Sequence, residues 1–135
     1  LREKIVLPAS LDSIPRAVGF VREYLSRRKL DSLDKFAIVV EEIFSNIANY
    51  AYKDVRKDVE LICDYLSNSG ECVITFVDSG IEYNPLNTPE PDVTLPLEKR
   101  KIGGLGIFIV KKFMDRIDYE RKGNENILTL VKKLR

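Results

Sequence analysis

Histidine and tryptophan are absent from the 135 residues, and there are only two cysteines and one methionine. Without histidine, and with so little cysteine, zinc and haem centres of the familiar nitrogen- and sulfur-ligated kinds are excluded. No apolar run approaches the ~20 residues that a helix needs to cross a bilayer. No signal-peptide pattern opens the chain either, so a cytoplasmic location without membrane contact is expected. An excess of one charge is missing too. The 22 Lys and Arg against 21 Asp and Glu leave a net +1, which gives no long-range field to recruit nucleic acid directly. Arg27-Arg28-Lys29 and Lys99-Arg100-Lys101 read as solvated triplets rather than binding patches. Cys63 and Cys72 fall in two candidate strands flanking a turn. They either face each other across a hairpin or sit as buried thiols in a reducing compartment.

What is present is the composition of a packed protein. At 44% hydrophobic and 32% charged, the chain can bury a core, and its length suits one domain over residues 1–135. Glu3–Pro8 reads as a strand. Ile14, Val18, Val21 and Leu25 recur at helical spacing behind the cap Ser10-Leu11-Asp12-Ser13. Asp31 or Ser32 caps a second predicted helix that runs to about Tyr52, with Leu33, Ala37, Val40, Phe44, Ile47 and Ala51 in one stripe. Asp58–Leu66 and Glu71–Asp78 form a predicted hairpin, and Ile117–Arg121 with Ile127–Lys132 a second one. Between the hairpins, residues 79–101 hold four of the six prolines and read as a functional loop, followed by a buried helix over Ile107–Met114. The order β-α-α-β-β-loop-α-β-β predicts an α+β, two-layer sandwich: a mostly antiparallel mixed sheet covered on one face by helices.

Three features carry chemistry. Glu42 and Asn46 stack one turn apart on the second helix, at the border of its apolar stripe. A carboxylate there can act as a general base, and a carboxamide oxygen can ligate a hard cation such as Mg²⁺. Taken alone, such a pair is more often a solvated helix face. Asp78-Ser79-Gly80 ends an alternating strand, so Asp78 continues the side of Ile74 and Phe76 and can accept a hydrogen bond from an exocyclic amine at a pocket mouth. Gly80 lets backbone approach a ligand closely. Alone, this is also an ordinary strand-to-loop turn. Gly103-Gly104-Leu105-Gly106 precedes an apolar helix, where free N–H groups and the helix dipole suit an anion. No Gly-Lys-Ser/Thr ending makes it a Walker loop, and alone it is a flexible loop end.

As an ordered set, these features resemble the N box and the two glycine boxes of the GHKL (histidine-kinase-like) ATPase superfamily. The stretch Val40-Glu41-Glu42-Ile43-Phe44-Ser45-Asn46-Ile47-Ala48-Asn49-Tyr50-Ala51-Tyr52 is similar to the N box of small anti-sigma-factor serine/threonine kinases. The resemblance implies a Bergerat-type fold holding ATP and Mg²⁺. By matching positions, Glu42 is then the general base and Asn46 the metal ligand. Asp78 binds the adenine amine and Gly80 lies against the base. Gly103, Gly104, Leu105 and Gly106 wrap the phosphates, Thr129 supports adenine, and residues 84–102 form a lid. It further implies an anti-anti-sigma (STAS-type) protein as phosphoryl acceptor, a sigma factor as a second partner, and homodimerisation. Two features depart from the pattern: Glu82 stands where the first glycine box has its second glycine, and the basic residue that some relatives place near the phosphates has no assigned counterpart, with Arg100 and Lys101 the candidates. A nucleotide-gated switch without phosphoryl transfer stays open as an alternative. So does a histidine-kinase catalytic half acting on another chain.

Overall fold

The computed structural model describes residues 2–52, 57–87 and 104–134. Strand β1 spans Glu3–Pro8, and a 3-10 turn at Leu11–Ser13 leads into helix α1, Ile14–Arg27. Ser10 Oγ accepts from Asp12 N at 3.3 Å, capping that turn, and a proline in the first turn suits the start of α1. Ala17, Val21, Tyr24 and Leu25 are its buried stripe. Helix α2 spans Leu33–Asn46. Ser32 takes the cap position with a left-handed φ of 69° and no side-chain capping bond.

The sequence predicts one helix up to Tyr52, but the last turn, Ile47–Ala51, is a π-turn. Its wider spiral ends on Tyr52, whose N–H donates to Ile47 O at 3.3 Å. The buried stripe is Phe36, Val39, Val40, Ile43, Phe44 and Ile47. Asn46 lies at the edge of that stripe, beside Val39 on the helical wheel, and is buried with it.

The remaining elements are β2 (Asp58–Leu66), β3 (Glu71–Asp78), α3 (Gly104–Phe113), β4 (Arg116–Lys122) and β5 (Glu125–Lys133). The five described strands form one sheet in the order β1-β2-β3-β5-β4, with every neighbour antiparallel. The expected mostly antiparallel sheet is thus antiparallel throughout. Alternation sends Val59, Leu61 and Cys63, then Cys72, Ile74 and Phe76, then Leu128 and Leu130 into the core shared with the helices. The opposite sheet face carries Val73, Thr75, Val77, Ile127 and Thr129, all half-buried.

Cys63 pairs with Ile74 and Cys72 with Tyr65, so the thiols are offset rather than opposite, and both are buried and free. Burial pushes the Cys72 thiol up to about 12 and the Cys63 thiol up as well, which leaves both unreactive. At the sheet edge, the Arg27 and Arg28 guanidiniums hold the Glu3 carboxyl below its ordinary range and tie β1 to the end of α1. Among the described residues no helix is long and apolar enough to cross a membrane.

Candidate functional site

Two recesses lie beside α2, and the predicted residues divide between them. The first is a narrow, mostly apolar cavity of about 10 Å³, walled by Ile43, Ile47 and Leu128 and covered by Tyr83, Pro85 and Tyr119. That is room for about one water molecule. Asn46 enters from the end of α2 and Asp78 from the end of β3.

Strand alternation explains why Asp78, only 4% exposed, points inward after Ile74 and Phe76. Its Oδ1 accepts from Gly80 N and from Asn126 Nδ2, each at 2.9 Å. Oδ2 enters no hydrogen bond among the described residues, so one acceptor remains for a ligand. Burial raises the Asp78 pKa, while bonds from Asn126 and Gly80 and the Arg121 guanidinium partly oppose the rise.

Asn46 is 5% exposed, and its Nδ2 is buried without a hydrogen-bond partner among the described residues. An orphaned donor of this kind costs about 1–3 kcal/mol in a fold, which marks the amide as a candidate ligand-binding group. Rotation of the amide exchanges its nitrogen and oxygen, so the same side chain can present Oδ1 to a hard cation. Among the described residues no three His, Cys, Asp or Glu cluster to hold a metal. A cation here would therefore rest on Asn46 and on oxygens brought by the ligand, an arrangement that suits Mg²⁺ on a polyphosphate.

The second recess is a groove of about 520 Å³ that Glu42 and Gly106 line together with Ser45 and Asn49. Burial raises the Glu42 pKa. The Asn46 amide counters part of the shift without reaching hydrogen-bond geometry, and Glu41 adds to it. A Cβ added at Gly106 would overlap the Glu42 carboxylate, so only glycine lets α3 pass this close to the acid. Helix α3 starts at Gly104, earlier than the predicted Ile107. Gly104, Leu105 and Gly106 thus form its first turn, where backbone N–H groups have no intrahelical acceptor. Gly103, Arg100, Lys101 and most of the predicted lid lie outside the described residues.

One expectation needs correction, and one glycine has a further role within the fold. Thr129 pairs with Thr75 on the sheet face opposite Asp78, because it is an odd number of residues from the inward Leu128 and Leu130; it does not reach the cavity. Gly80 is fixed by a contact inside the fold. The chain after β3 packs on the π-turn, where Ile81 N donates to Ala51 O at 3.0 Å and a Cβ on Gly80 would strike that carbonyl. Glu82 is exposed and does not line the cavity.

The residue that sequence reasoning missed is Asn126, 3% exposed and paired in register with Asp78. Besides its bond to Asp78, its Nδ2 donates to Ile81 O at 2.7 Å. Its Oδ1 accepts from Tyr83 N, Tyr119 OH and Arg121 NH1. The signal was legible, since Asn126 continues the inward face of Leu128 and Leu130 as Asp78 continues that of Phe76. Tyr52 adds a brace: its OH accepts from Ser79 N at 2.6 Å and donates to Asp58 O at 3.1 Å.

The chain was also compared with known proteins. It is 27% identical over 126 residues to the serine-protein kinase RsbW of Listeria monocytogenes, covering 89% of this chain and 74% of that protein. Against RsbW of Bacillus thuringiensis it is 24% identical over 91 residues, covering 64% of this chain and only 56% of the relative. Among solved structures, the RsbU and RsbW domains of a Mycobacterium tuberculosis protein superpose with a TM-score of 0.71 at 14% identity, over 99% of this chain and 32% of theirs. That likeness is one of fold. Residues 7–132 match the family described as Histidine kinase-like ATPase domain. With that match spanning nearly the whole sheet and all three helices, the chain belongs to the histidine kinase-like ATPase domain family.

Proposed function

We propose that the chain binds Mg²⁺–ATP and transfers its γ-phosphoryl group to a serine or threonine of an anti-anti-sigma, STAS-type partner, and that it also sequesters a sigma factor. The observation that carries this reading is the orphaned Asn46 amide, one helical turn from a half-buried Glu42 and sharing a cavity with Asp78. The relatives named serine-protein kinases support the reading of the acceptor class.

In this account Asp78 accepts from the adenine amine and Asn46 presents its oxygen to Mg²⁺. The first-turn N–H groups of α3 face the phosphates. Bound Mg²⁺ neutralises charge on the phosphate oxygens. Glu42 takes the proton of the acceptor hydroxyl. The hydroxyl oxygen bonds to the γ-phosphorus while the bond to the bridging oxygen breaks, and ADP leaves. Incubating the protein with γ-labelled ATP, Mg²⁺ and purified STAS-type proteins of the source genome tests this. Acid-stable phosphoserine or phosphothreonine is the expected product. Tight nucleotide and partner binding with no label transferred would sink the kinase assignment.

One observation favours a second reading, a nucleotide-gated switch. Tyr83 and Pro85 shut the base cavity down to about 10 Å³, so adenine can enter only if the segment after β3 moves. The Tyr83 ring also lies against that of Tyr50 on the π-turn, tilted by 37° with centroids 5.7 Å apart, which couples that segment to the end of α2. A pure switch predicts that Glu42→Ala leaves partner release unchanged; loss of release in that variant excludes it.

A further inference from the structure

Among the described residues, the cavity that holds Asn46 and Asp78 and the groove that holds Glu42 and Gly106 are separate recesses, one turn of α2 apart. In-line phosphoryl transfer needs the attacking oxygen on the side of phosphorus opposite the leaving ADP oxygen. A nucleotide whose base occupies the cavity therefore leaves one approach to Glu42 among the described recesses, through the groove. The groove's about 520 Å³ exceeds what a lone hydroxyl needs and suits a short stretch of polypeptide.

Its lining adds two further features. Leu11 and Ile38 stand 51% and 46% exposed at its rim, apolar surface that serves neither the core nor the nucleotide. Among the described residues, both charged side chains that line it, Glu41 and Glu42, are acidic, and no lysine or arginine does. Glu41 is exposed and has no ion pair among the described residues.

We propose that this groove is where the acceptor protein docks: its hydroxyl-bearing segment lies between α1, α2 and α3, with an aliphatic side chain on Leu11 and Ile38 and a basic side chain on Glu41. The proposal rests on the kinase reading above and adds its specificity determinants. Continuity with Glu42 fixes the occupant as the acceptor rather than a second partner, and the paired carboxylates fix the sign of its neighbouring charge. The hydroxyl proton passes to Glu42 as its oxygen bonds to the γ-phosphorus and ADP departs.

The test uses STAS-type proteins of the source genome, purified singly, as acceptors for the full chain with Mg²⁺–ATP. For an acceptor that wild type phosphorylates, Glu41→Lys and Ile38→Asp should each raise its KM about tenfold or more. Dissociation constants for ATP and unfolding midpoints should stay within about twofold and a few degrees of wild type, since both side chains are at the surface. Because Glu41 also raises the Glu42 pKa, KM rather than kcat is the readout. Reversing one basic residue beside the acceptor hydroxyl to Glu should restore activity with Glu41→Lys. An acceptor KM unchanged in both variants overturns the groove while leaving the kinase assignment standing. ATP binding without phosphorylation of any acceptor removes the kinase assignment and the groove together.

Discussion

Asp78 and Glu42 are both carboxylates whose pKa burial has raised, so each costs the fold something at neutral pH. The sign follows from linkage: a raised folded-state pKa contributes stability that is complete below the unfolded pKa and is lost as pH rises through the folded one. Asp78→Asn keeps an acceptor for Gly80 N and removes the buried charge. Its unfolding midpoint at pH 7 should equal or exceed that of wild type, with the difference shrinking as pH falls towards the ordinary carboxylate range, while ATP affinity drops. Thermal melts across pH and ATP titration by calorimetry measure the two effects, and a variant that binds ATP as wild type does contradicts the role of Asp78. Glu42 must be ionised to accept a proton. The acidic limb of the kinase pH profile should therefore lie above the ordinary carboxylate range, and Glu42→Gln should lower kcat by about 10²–10⁴-fold. Asn126→Ala should destabilise by about 1–3 kcal/mol, because it strips partners from buried groups including Asp78 Oδ1.

At the scale of elements, two glycines that look alike in the sequence serve different ends. Gly80 sits against the carbonyl of Ala51 on the π-turn, and backbone cannot swing aside. Gly80→Ala should therefore cost about 1–3 kcal/mol of stability, read as a lowered denaturation midpoint. Gly106 sits against the flexible end of Glu42, which can rotate away. Gly106→Ala should melt close to wild type yet lose phosphoryl transfer, because the displaced carboxylate no longer meets the acceptor hydroxyl. Equal stability losses in both variants would contradict this division. The π-turn belongs to the same scale. By widening the end of α2 it brings the Ala51 carbonyl to Ile81 N and sets Tyr50 against Tyr83. Helical periodicity gives no sign of it, because a stripe that reads Phe44, Ile47 and Ala51 is compatible with either spiral.

At the scale of the whole molecule, ligand binding to the native state alone should add about 2.7 kcal/mol of stability at a hundredfold excess of ATP over its Kd. A thermal shift of several degrees with Mg²⁺–ATP, much reduced in Asn46→Ala, is the expected result; an equal shift in that variant would exclude Asn46 as a nucleotide ligand. The order of elements, their approximate bounds and the inward sides of β3 and β5 were legible in the sequence. Apolar periodicity, turn residues and strand alternation are local properties, set within a few residues of chain. The pairing of Glu42 with Asn46 and the inward turn of Asp78 were legible for the same reason. Tertiary structure alone decided what depends on which segments meet: that Thr129 faces away while Asn126 braces Asp78, that Gly80 meets backbone and Gly106 meets Glu42, and that α2 divides the site into a closed cavity and an open groove. Those outcomes rest on strand register and helix packing between residues up to 64 positions apart, as from Glu42 to Gly106, and local propensity carries no information about them.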